Sequence, residues 1–425
     1  MENERIYKGF WWLPASSDKQ VAGTLTVDSD GNVKLELLGS FLHDNELFDF
    51  EVDDEAVILG RCYDHKSNMK DISLIRCRSS YTMNIGSTFP ITRYTCRYAL
   101  IGIHIESMDD MSFFKAHVGF KEMFYWCPPT NIQTCFNHKT ISVIIDIEEN
   151  ENKIKASLAL EDETKLLIKE AASYKPDYPD VNISQSTFWE IQKEDISANQ
   201  VLDITNGFER FLSLATLMPV EHGEITLFSK HIYQELRDGV NFYHPIELIT
   251  PLYKSDKIYK IEPYDFLFEY EDIADDFGSL FKKLYSDKSI AQILSNLIDS
   301  FEKKRTYTSN DFLVVAQALD GFAMRFRQEN SLFEEYKSLR NEFDGIKKLK
   351  LTDEDLKSAV GSRDYYSHIL KIEKKAHKHA LDGVDLYHLT KKLQILLICC
   401  VLNFMGVSND RINKLLNKSN NTLFL

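Results

Sequence analysis

The sequence predicts an α+β multidomain chain, with a β-rich N-terminal region over 1–280 followed by an all-α helical bundle over 281–425. Three observations predict it. Apolar and polar residues alternate in short runs through the first half, as in Gly23-Thr24-Leu25-Thr26-Val27 and Val33-Lys34-Leu35-Glu36-Leu37, which is the period of a half-buried strand. Beyond residue 288 the apolar residues recur at i, i+3, i+4 and i+7, the period of an amphipathic helix. The charge divides at the same place. Residues 289–425 hold 21 Lys+Arg and 17 Asp+Glu, a net of +4, while 1–288 hold 29 and 48, a net of −19, within a total of −15. A mildly basic part behind a strongly acidic one fits separate domains with separate partners.

The chain has 425 residues, enough for two or three domains, so the 1–280 span has room for two subdomains. A hydrophobic share of 44% and a charged share of 27% are those of a globular protein and exclude a low-complexity or disordered chain. The longest apolar stretch, Leu393 to Val407, is interrupted by Gln394 and Asn403 and falls short of the roughly 18 apolar residues a membrane span needs. It reads as the buried helix of a bundle. Met1-Glu2-Asn3-Glu4-Arg5 offers neither a basic n-region nor an apolar h-region. Seven cysteines at irregular spacing do not suggest a disulfide framework. The expectation is a reduced, cytoplasmic protein with no membrane partner. The acidic balance also argues against a protein that coats nucleic acid non-specifically.

Taken in order, Asp28-Ser29-Asp30-Gly31-Asn32 supplies turn chemistry between the first two alternating runs, making a β-hairpin that ends at Leu38-Gly39. Thr140 to Ile147 and Ile154 to Leu160 flank a polar Glu/Asn stretch and read as a second hairpin. Ser184 to Ile191 is a further strand. Ser197 is placed to cap a helix that carries Val201, Leu202, Ile204, Phe208, Phe211 and Leu212. Glu224 to Phe228 reads as another strand, and the acidic, aromatic stretch 262–276 leads to a boundary near 275–288.

The bundle follows. Ile290, Ile293, Leu294, Leu297, Ile298 and Phe301 make one helical stripe; Phe312, Val315, Ala316, Leu319, Phe322, Ala323 and Phe326 a second; Leu332, Tyr336, Leu339 and Phe343 a third. A fourth helix opens at Thr352, with Asp353, Glu354 and Asp355 in its first turn, where the helix dipole favours acids. A fifth follows Gly383. Short connections between such helices imply antiparallel packing.

The fourth helix carries Gly361-Ser362-Arg363-Asp364-Tyr365-Tyr366-Ser367-His368. An Arg, four residues and a His, with a polar residue straight after the Arg, resembles the Arg-x(4–6)-His signature of HEPN domains, so the bundle is read as an all-α HEPN helical bundle. Arg237 and His244 match the same spacing but precede Pro245 in a mixed segment with no bundle around it, and are read as chance. The opening of the chain adds a second resemblance. Gly9-Phe10-Trp11-Trp12-Leu13-Pro14, then Gly23-Thr24-Leu25-Thr26, an Asp-Gly turn and Leu35-Glu36-Leu37-Leu38-Gly39 resemble the N-terminal domain of ApeA-type proteins. Those are bacterial anti-phage proteins with a C-terminal HEPN domain, and Arg363–His368 falls where that architecture expects it.

The residue types suit RNA cleavage. RNA carries its own nucleophile, the 2′-hydroxyl beside the scissile phosphate. A His can take that proton or protonate the 5′-oxygen leaving group. An Arg forks onto phosphate oxygens and stabilises the charge that grows in the transition state. Asp364 and His368 are four apart and neighbour each other on a helix, while Arg363 stands about 140° round from His368. Asp364 is then expected to orient His368. Tyr365 and Tyr366 are candidates to stack on an unpaired base, or equally to pack an interface. If the helix continues, Lys374 and Lys378 fall within about 60° of the Arg363 direction. With Lys371, Lys375, His377 and His379 nearby, they form a basic stripe suited to an RNA backbone; a solvated face is the alternative.

The resemblance implies a metal-independent endoribonuclease of anti-phage abortive infection. It would cut host RNA, with tRNA anticodon loops as the expected substrate, leaving 2′,3′-cyclic phosphate and 5′-hydroxyl ends. It implies a composite site in a homodimer or larger homo-oligomer and a phage protein as trigger. The acidic N-terminal region is the candidate for sensing or restraint, since like charge repels RNA. No cofactor or catalytic metal is expected. Cys62-Tyr63-Asp64-His65 and Cys135-Phe136-Asn137-His138, with Cys77, Cys96 and Cys127 between, leave a structural zinc as the alternative to ordinary buried thiols. The rival function is a non-catalytic module that only dimerises or docks a partner; a zinc-dependent hydrolase is a third.

Overall fold

The computed structural model describes residues 4–41, 56–82, 91–130, 132–137, 140–145, 153–236, 239–252, 261–301, 307–327, 329–368 and 379–424. In chain order the strands are β1 (Arg5–Trp12), β2 (Val21–Val27), β3 (Val33–Leu38), β4 (Ala56–Tyr63), β5 (Met69–Thr82), β6 (Ile91–Ile101), β7 (Phe113–Phe120), β8 (Ile132–Asn137), β9 (Thr140–Ile145), β10 (Lys153–Ala159), β11 (Lys165–Asp177), β12 (Asp180–Ile196), β13 (His222–Phe228), β14 (Tyr233–Glu235), β15 (Asn241–Tyr243) and β16 (Ile246–Ile249). The helices are α1 (Met123–Trp126), α2 (Ala198–Thr216), α3 (Tyr270–Ile273), α4 (Phe277–Ser286), α5 (Lys288–Asp299), α6 (Ser309–Phe326), α7 (Leu332–Glu342), α8 (Asp353–His368), α9 (Gly383–Met405) and α10 (Asn409–Lys418). The chain is therefore β-rich in its N-terminal region and helical in its C-terminal region.

The first six strands close on themselves in the order β6-β3-β2-β1-β4-β5, with β5 returning to β6, so they form an antiparallel barrel. Alternation along each strand sends Trp11, Leu25, Val33, Leu35, Ile58, Ile72 and Leu74 into a single interior cluster. Trp11 fills the space left by two glycines. A Cβ on Gly60 would lie 2.3 Å from its ring, and one on Gly23 would lie 3.0 Å from it. Gly23 and Trp11 of the opening motif thus form one packing unit with Gly60, across β1, β2 and β4.

From β6 the sheet runs on through β16, β13, β7, β12, β11 and β10. The β2–β3 hairpin is as expected, with Asp28 Oδ1 accepting the backbone N–H groups of Asp30 and Asn32 in the turn. The second expected hairpin is corrected. The two runs are strands, but β9 pairs with β8, and β10 pairs with β11. Each has a nearer partner in sequence, and the Leu160–Thr164 turn closes the β10–β11 pair, with Leu160 N–H donating to Thr164 O at 2.8 Å.

Ser197 caps α2 through a reciprocal box with Gln200. The apolar face of α2 enters a core made by the open sheet on one side and by the bundle on the other. Trp189 of β12 stacks on Phe208 with ring centroids 4.1 Å apart, and Phe281 of α4 lies 5.7 Å from Phe211. One continuous cluster joins Val118 and Ile191 of the sheet to Leu319 and Leu396 of the bundle. The stretch read as a boundary is itself structured: α4 occupies it and buries Phe277, Leu280, Phe281 and Leu284.

In the bundle α6 packs against α5, α7, α8 and α9. The expectation that the stretch Leu393 to Val407 falls short of a membrane span is corrected in length: α9 extends back to Gly383 and is long and apolar enough to cross a bilayer, but 72% of its apolar window is buried within the protein, as in a bundle's core helix. Of the expected basic stripe, Lys371, Lys374, Lys375, His377 and Lys378 lie outside the described residues, as does Arg237.

Candidate active site

The helix that carries the motif is pinned at its start. Thr352 donates its backbone N–H and its hydroxyl to Asp355 Oδ2, both at 2.8 Å, and accepts from Asp355 N–H in return. Asp353 pairs with Arg340 of α7 at 2.6 Å, and Asp355 with Lys392 of α9 at 2.8 Å. The acidic first turn therefore docks α8 on both neighbours as well as satisfying its dipole.

Further along, the chain that leads into α9 is strapped across α8. The hydroxyl of buried Ser362 accepts the Leu381 N–H at 2.9 Å, and the Tyr366 hydroxyl donates to the Leu381 carbonyl at 3.0 Å. Gly361 permits the crossing, since a Cβ there would come within 3.2 Å of His379 Cβ. Tyr366 also meets Phe312 of α6, with ring centroids 6.4 Å apart. It is a packing residue in this chain, and its hydroxyl is committed to the strap. Tyr365 is half-exposed and lies edge-on to Tyr366 at 4.9 Å.

Arg363 is held from two sides. Its Nε donates to Asp320 Oδ2 of α6 at 3.0 Å, and its Nη1 donates to Asp364 Oδ1 at 3.0 Å. Among the described residues Nη2 takes part in no hydrogen bond. Partial burial works against the charge of Arg363, but the carboxylates of Asp320 and Asp364 outweigh it and hold the guanidinium above its ordinary pKa. Asp320 is itself buried, and its other oxygen accepts the hydroxyl of Tyr336 on α7. Burial first, and then the Asp320 charge, push the Tyr336 phenol well above its usual range, so it stays a neutral donor.

His368 is the last residue of α8 and is exposed. It stands about 7.5 Å along the helix axis from Arg363 at 1.5 Å per residue. Among the described residues no hydrogen bond joins Asp364 to His368. The carboxylate expected to orient the imidazole is paired with Arg363 instead, whose guanidinium reaches it from the adjacent position. His379, expected in the basic stripe, lies back beside Gly361 and pairs with Glu354 at 3.1 Å.

Sequence reasoning missed Asp320 and Tyr336. A signal existed for the first: Asp320 follows Ala316 by four and precedes Ala323 by three, so it occupies the apolar face of α6. A carboxylate there needs a buried partner. For Tyr336 the apolar stripe was legible and the role of its hydroxyl was not.

The cysteines do not assemble a metal site among the described residues. Cys62, Cys77 and Cys96 lie inside the barrel, with Cys77 and Cys96 opposite each other across β5–β6, while Cys127 belongs to the other core. Burial pushes the Cys62 and Cys127 thiols up to about 12. The side chain of Cys135 and the whole of His138 fall outside the described residues.

A helical bundle with an Arg fixed by a buried acid on a neighbouring helix, and a His exposed five residues on, has the features of the HEPN class. A family profile described as Apea-like HEPN matches residues 226–411, and one described as ApeA N-terminal domain 1 matches residues 6–284. The chain belongs to the ApeA family and is a HEPN-type, nuclease-like defence protein. The two matches overlap over 226–284, where the sheet ends and α3 and α4 begin. No curated protein and no solved structure matches the chain.

Proposed function

We propose that the chain is a metal-independent endoribonuclease that acts in the cytoplasm during abortive infection, with Arg363 and His368 as its reacting groups. The observation that supports this most is the anchored Arg363, which Asp320 of α6 fixes on α8, the helix that also exposes His368. Preorganised cations aimed at developing phosphate charge are the largest contributors to this kind of catalysis. The 2′-hydroxyl of RNA attacks the phosphate, His368 moves the proton, and the ends are a 2′,3′-cyclic phosphate and a 5′-hydroxyl. One His cannot be base and acid in the same step, so a second copy of the chain would complete the site across a two-fold interface. Unpaired tRNA anticodon loops present accessible bases, on which Tyr365 would stack. Lys371, Lys374, Lys375 and Lys378 would contact the backbone. The acidic N-terminal region would restrain the enzyme until a phage protein is sensed.

One observation favours a second reading. Asp320 and Asp364 together more than neutralise Arg363, as in a structural ion-pair network. In that reading the bundle is a non-catalytic dimerisation module. The two separate when wild type and His368→Ala are incubated with total bacterial RNA in EDTA, with and without phage-infected lysate, and the new ends are sequenced. Cuts made only by wild type and ending in cyclic phosphate support the nuclease. No cutting by folded protein in any condition supports the module.

A further inference from the structure

A groove of about 760 Å³ lies in the N-terminal region, far in sequence from the Arg363 helix. It is lined by Arg76 and Arg78 of β5, Arg97 and Tyr98 of β6, and one face of α2. All three arginines are exposed. Three guanidinium groups gathered in one groove repel one another. Their clustering stands out in a region whose net charge is −19 by the residue counts.

The backbone adds a second observation. Arg76 has φ of +57°, the left-handed conformation that bulky residues rarely adopt. It sits where the β4–β5 register slips between Ile58–Leu74 and Ala56–Cys77. A bulge of this kind re-aims a side chain, and a non-glycine residue held in strained φ calls for a function. Here Arg76 and Arg97 both reach one tyrosine. The guanidinium of Arg76 lies 5.8 Å from the Tyr98 ring centroid and that of Arg97 lies 5.6 Å from it. Both guanidinium groups thus lie over the half-buried Tyr98 ring, cation on aromatic.

The opposite wall is polar. Asn199, Asp203 and Asn206 recur at i, i+4 and i+7 on α2 and face the groove. Asn199 already donates to Asp109 at 2.9 Å. The end wall is rigid. His222 Nδ1 meets Glu209, its Nε2 meets Thr250 Oγ1 at 2.7 Å, and Gly31 abuts the Thr250 carbonyl so closely that a Cβ would lie 2.1 Å from it.

Arginine forks match phosphate oxygens. Aromatic and guanidinium planes stack on nucleobases. Amides and a carboxylate can read ribose hydroxyls or a base edge, although Asp203 would repel a phosphate placed beside it. The groove volume is in the range of small-molecule sites. From these together we propose that the groove binds a mononucleotide, with its phosphate on the N–H edges of Arg76, Arg78 and Arg97, its base against the guanidinium planes that cover Tyr98, and its sugar or base edge on the α2 face. The other side of α2 carries Phe208 and Phe211 against the bundle, so the ligand would rest on the helix that seats the HEPN domain.

The test is calorimetric titration of the full chain with AMP, ATP, adenosine and inorganic phosphate. Saturable binding of AMP or ATP, at least about tenfold tighter than adenosine or phosphate alone, is the expected result, a factor of ten being what one charge-assisted contact supplies. Arg97→Ala and Arg76→Asn should each weaken it by a similar factor, Asn being chosen because it tolerates positive φ. Unchanged melting temperatures would confirm that both variants fold. Arg363→Ala should leave the binding intact. Absence of nucleotide binding by wild type overturns the proposal, as does binding unaffected by folded Arg97→Ala. Binding lost in Arg363→Ala but kept in Arg97→Ala would place the nucleotide at the nuclease site and overturn it as well.

Discussion

Asp320 on α6 accepts the Nε of Arg363 on α8 at 3.0 Å while its second oxygen accepts the hydroxyl of fully buried Tyr336 on α7. Three helices thereby meet at one carboxylate. The contact decides how far Arg363 can move, and so what it can offer a phosphate.

Breaking that contact is expected to cost both stability and activity. Asp320→Ala leaves Arg363 without its buried partner and Tyr336 with only the distant Ala316 carbonyl at 3.4 Å, a loss of about 3 kcal/mol or more. Asp320→Asn keeps the shape but sets an NH₂ group against a donor, costing about 1–3 kcal/mol. Tyr336→Phe should cost about 1 kcal/mol and leave RNA cleavage largely intact, because the Asp320–Arg363 contact survives. Urea unfolding alongside cleavage assays measures all three; full activity in Asp320→Ala would show that Arg363 needs no anchor.

Arg363 and His368 should differ from Asp320 in kind. His368 is exposed at the helix end, so His368→Ala should stay within about 0.5 kcal/mol of wild-type stability and still lose cleavage. Arg363→Lys keeps a charge but loses the fork that binds Asp320 and Asp364 together, and should lose about 100-fold in rate. Near-wild-type cleavage by the lysine variant would mean that charge alone suffices.

A second buried acid sets a pH dependence. Glu190 on β12 is 2% exposed and takes His117 at 2.7 Å and Lys169 at 2.8 Å. Burial would raise its carboxyl, but the hydrogen bonds and charges of His117 and Lys169 prevail and bring it down from 4.5 to about 2. A folded-state value below the unfolded one stabilises the fold above the unfolded pKa. That stabilisation, roughly 3 kcal/mol, is lost as pH falls from about 4.5 towards 2. Denaturant midpoints measured across that window should drop for wild type and drop less for Glu190→Gln; parallel curves would remove Glu190 as the cause.

The barrel offers a purely steric test. A Cβ at Gly60 would overlap the Trp11 ring at 2.3 Å. Gly60→Ala should therefore cost about 3 kcal/mol through overpacking. Chemical denaturation would read it directly, and a neutral outcome would show that Trp11 has room to shift.

Much of the architecture was legible in the chain because it rests on local period. The i, i+3, i+4 stripes placed α5, α6 and α7, the acidic first turn placed α8, Gly383 and the apolar run placed α9, the Ser197 cap started α2, and the Asp-Gly turn set the β2–β3 hairpin. The glycine and tryptophan pattern at the N-terminus and the Arg363–His368 spacing identified the family on residues alone, since motif chemistry survives without coordinates. What the sequence left open depends on which distant surfaces meet. Strands β9 and β10 were each recognised by alternation, but alternation does not choose a partner. A carboxylate on an apolar helix face announces only that it needs a partner, and folding put α6, α7 and α8 together so that Asp320 reached both Arg363 and Tyr336. In the folded chain Asp364 pairs with Arg363, and Arg76, Arg97 and α2 come to one groove. Period and spacing act along the chain, whereas pairing, burial and charge compensation act through space, and only the tertiary structure decided those.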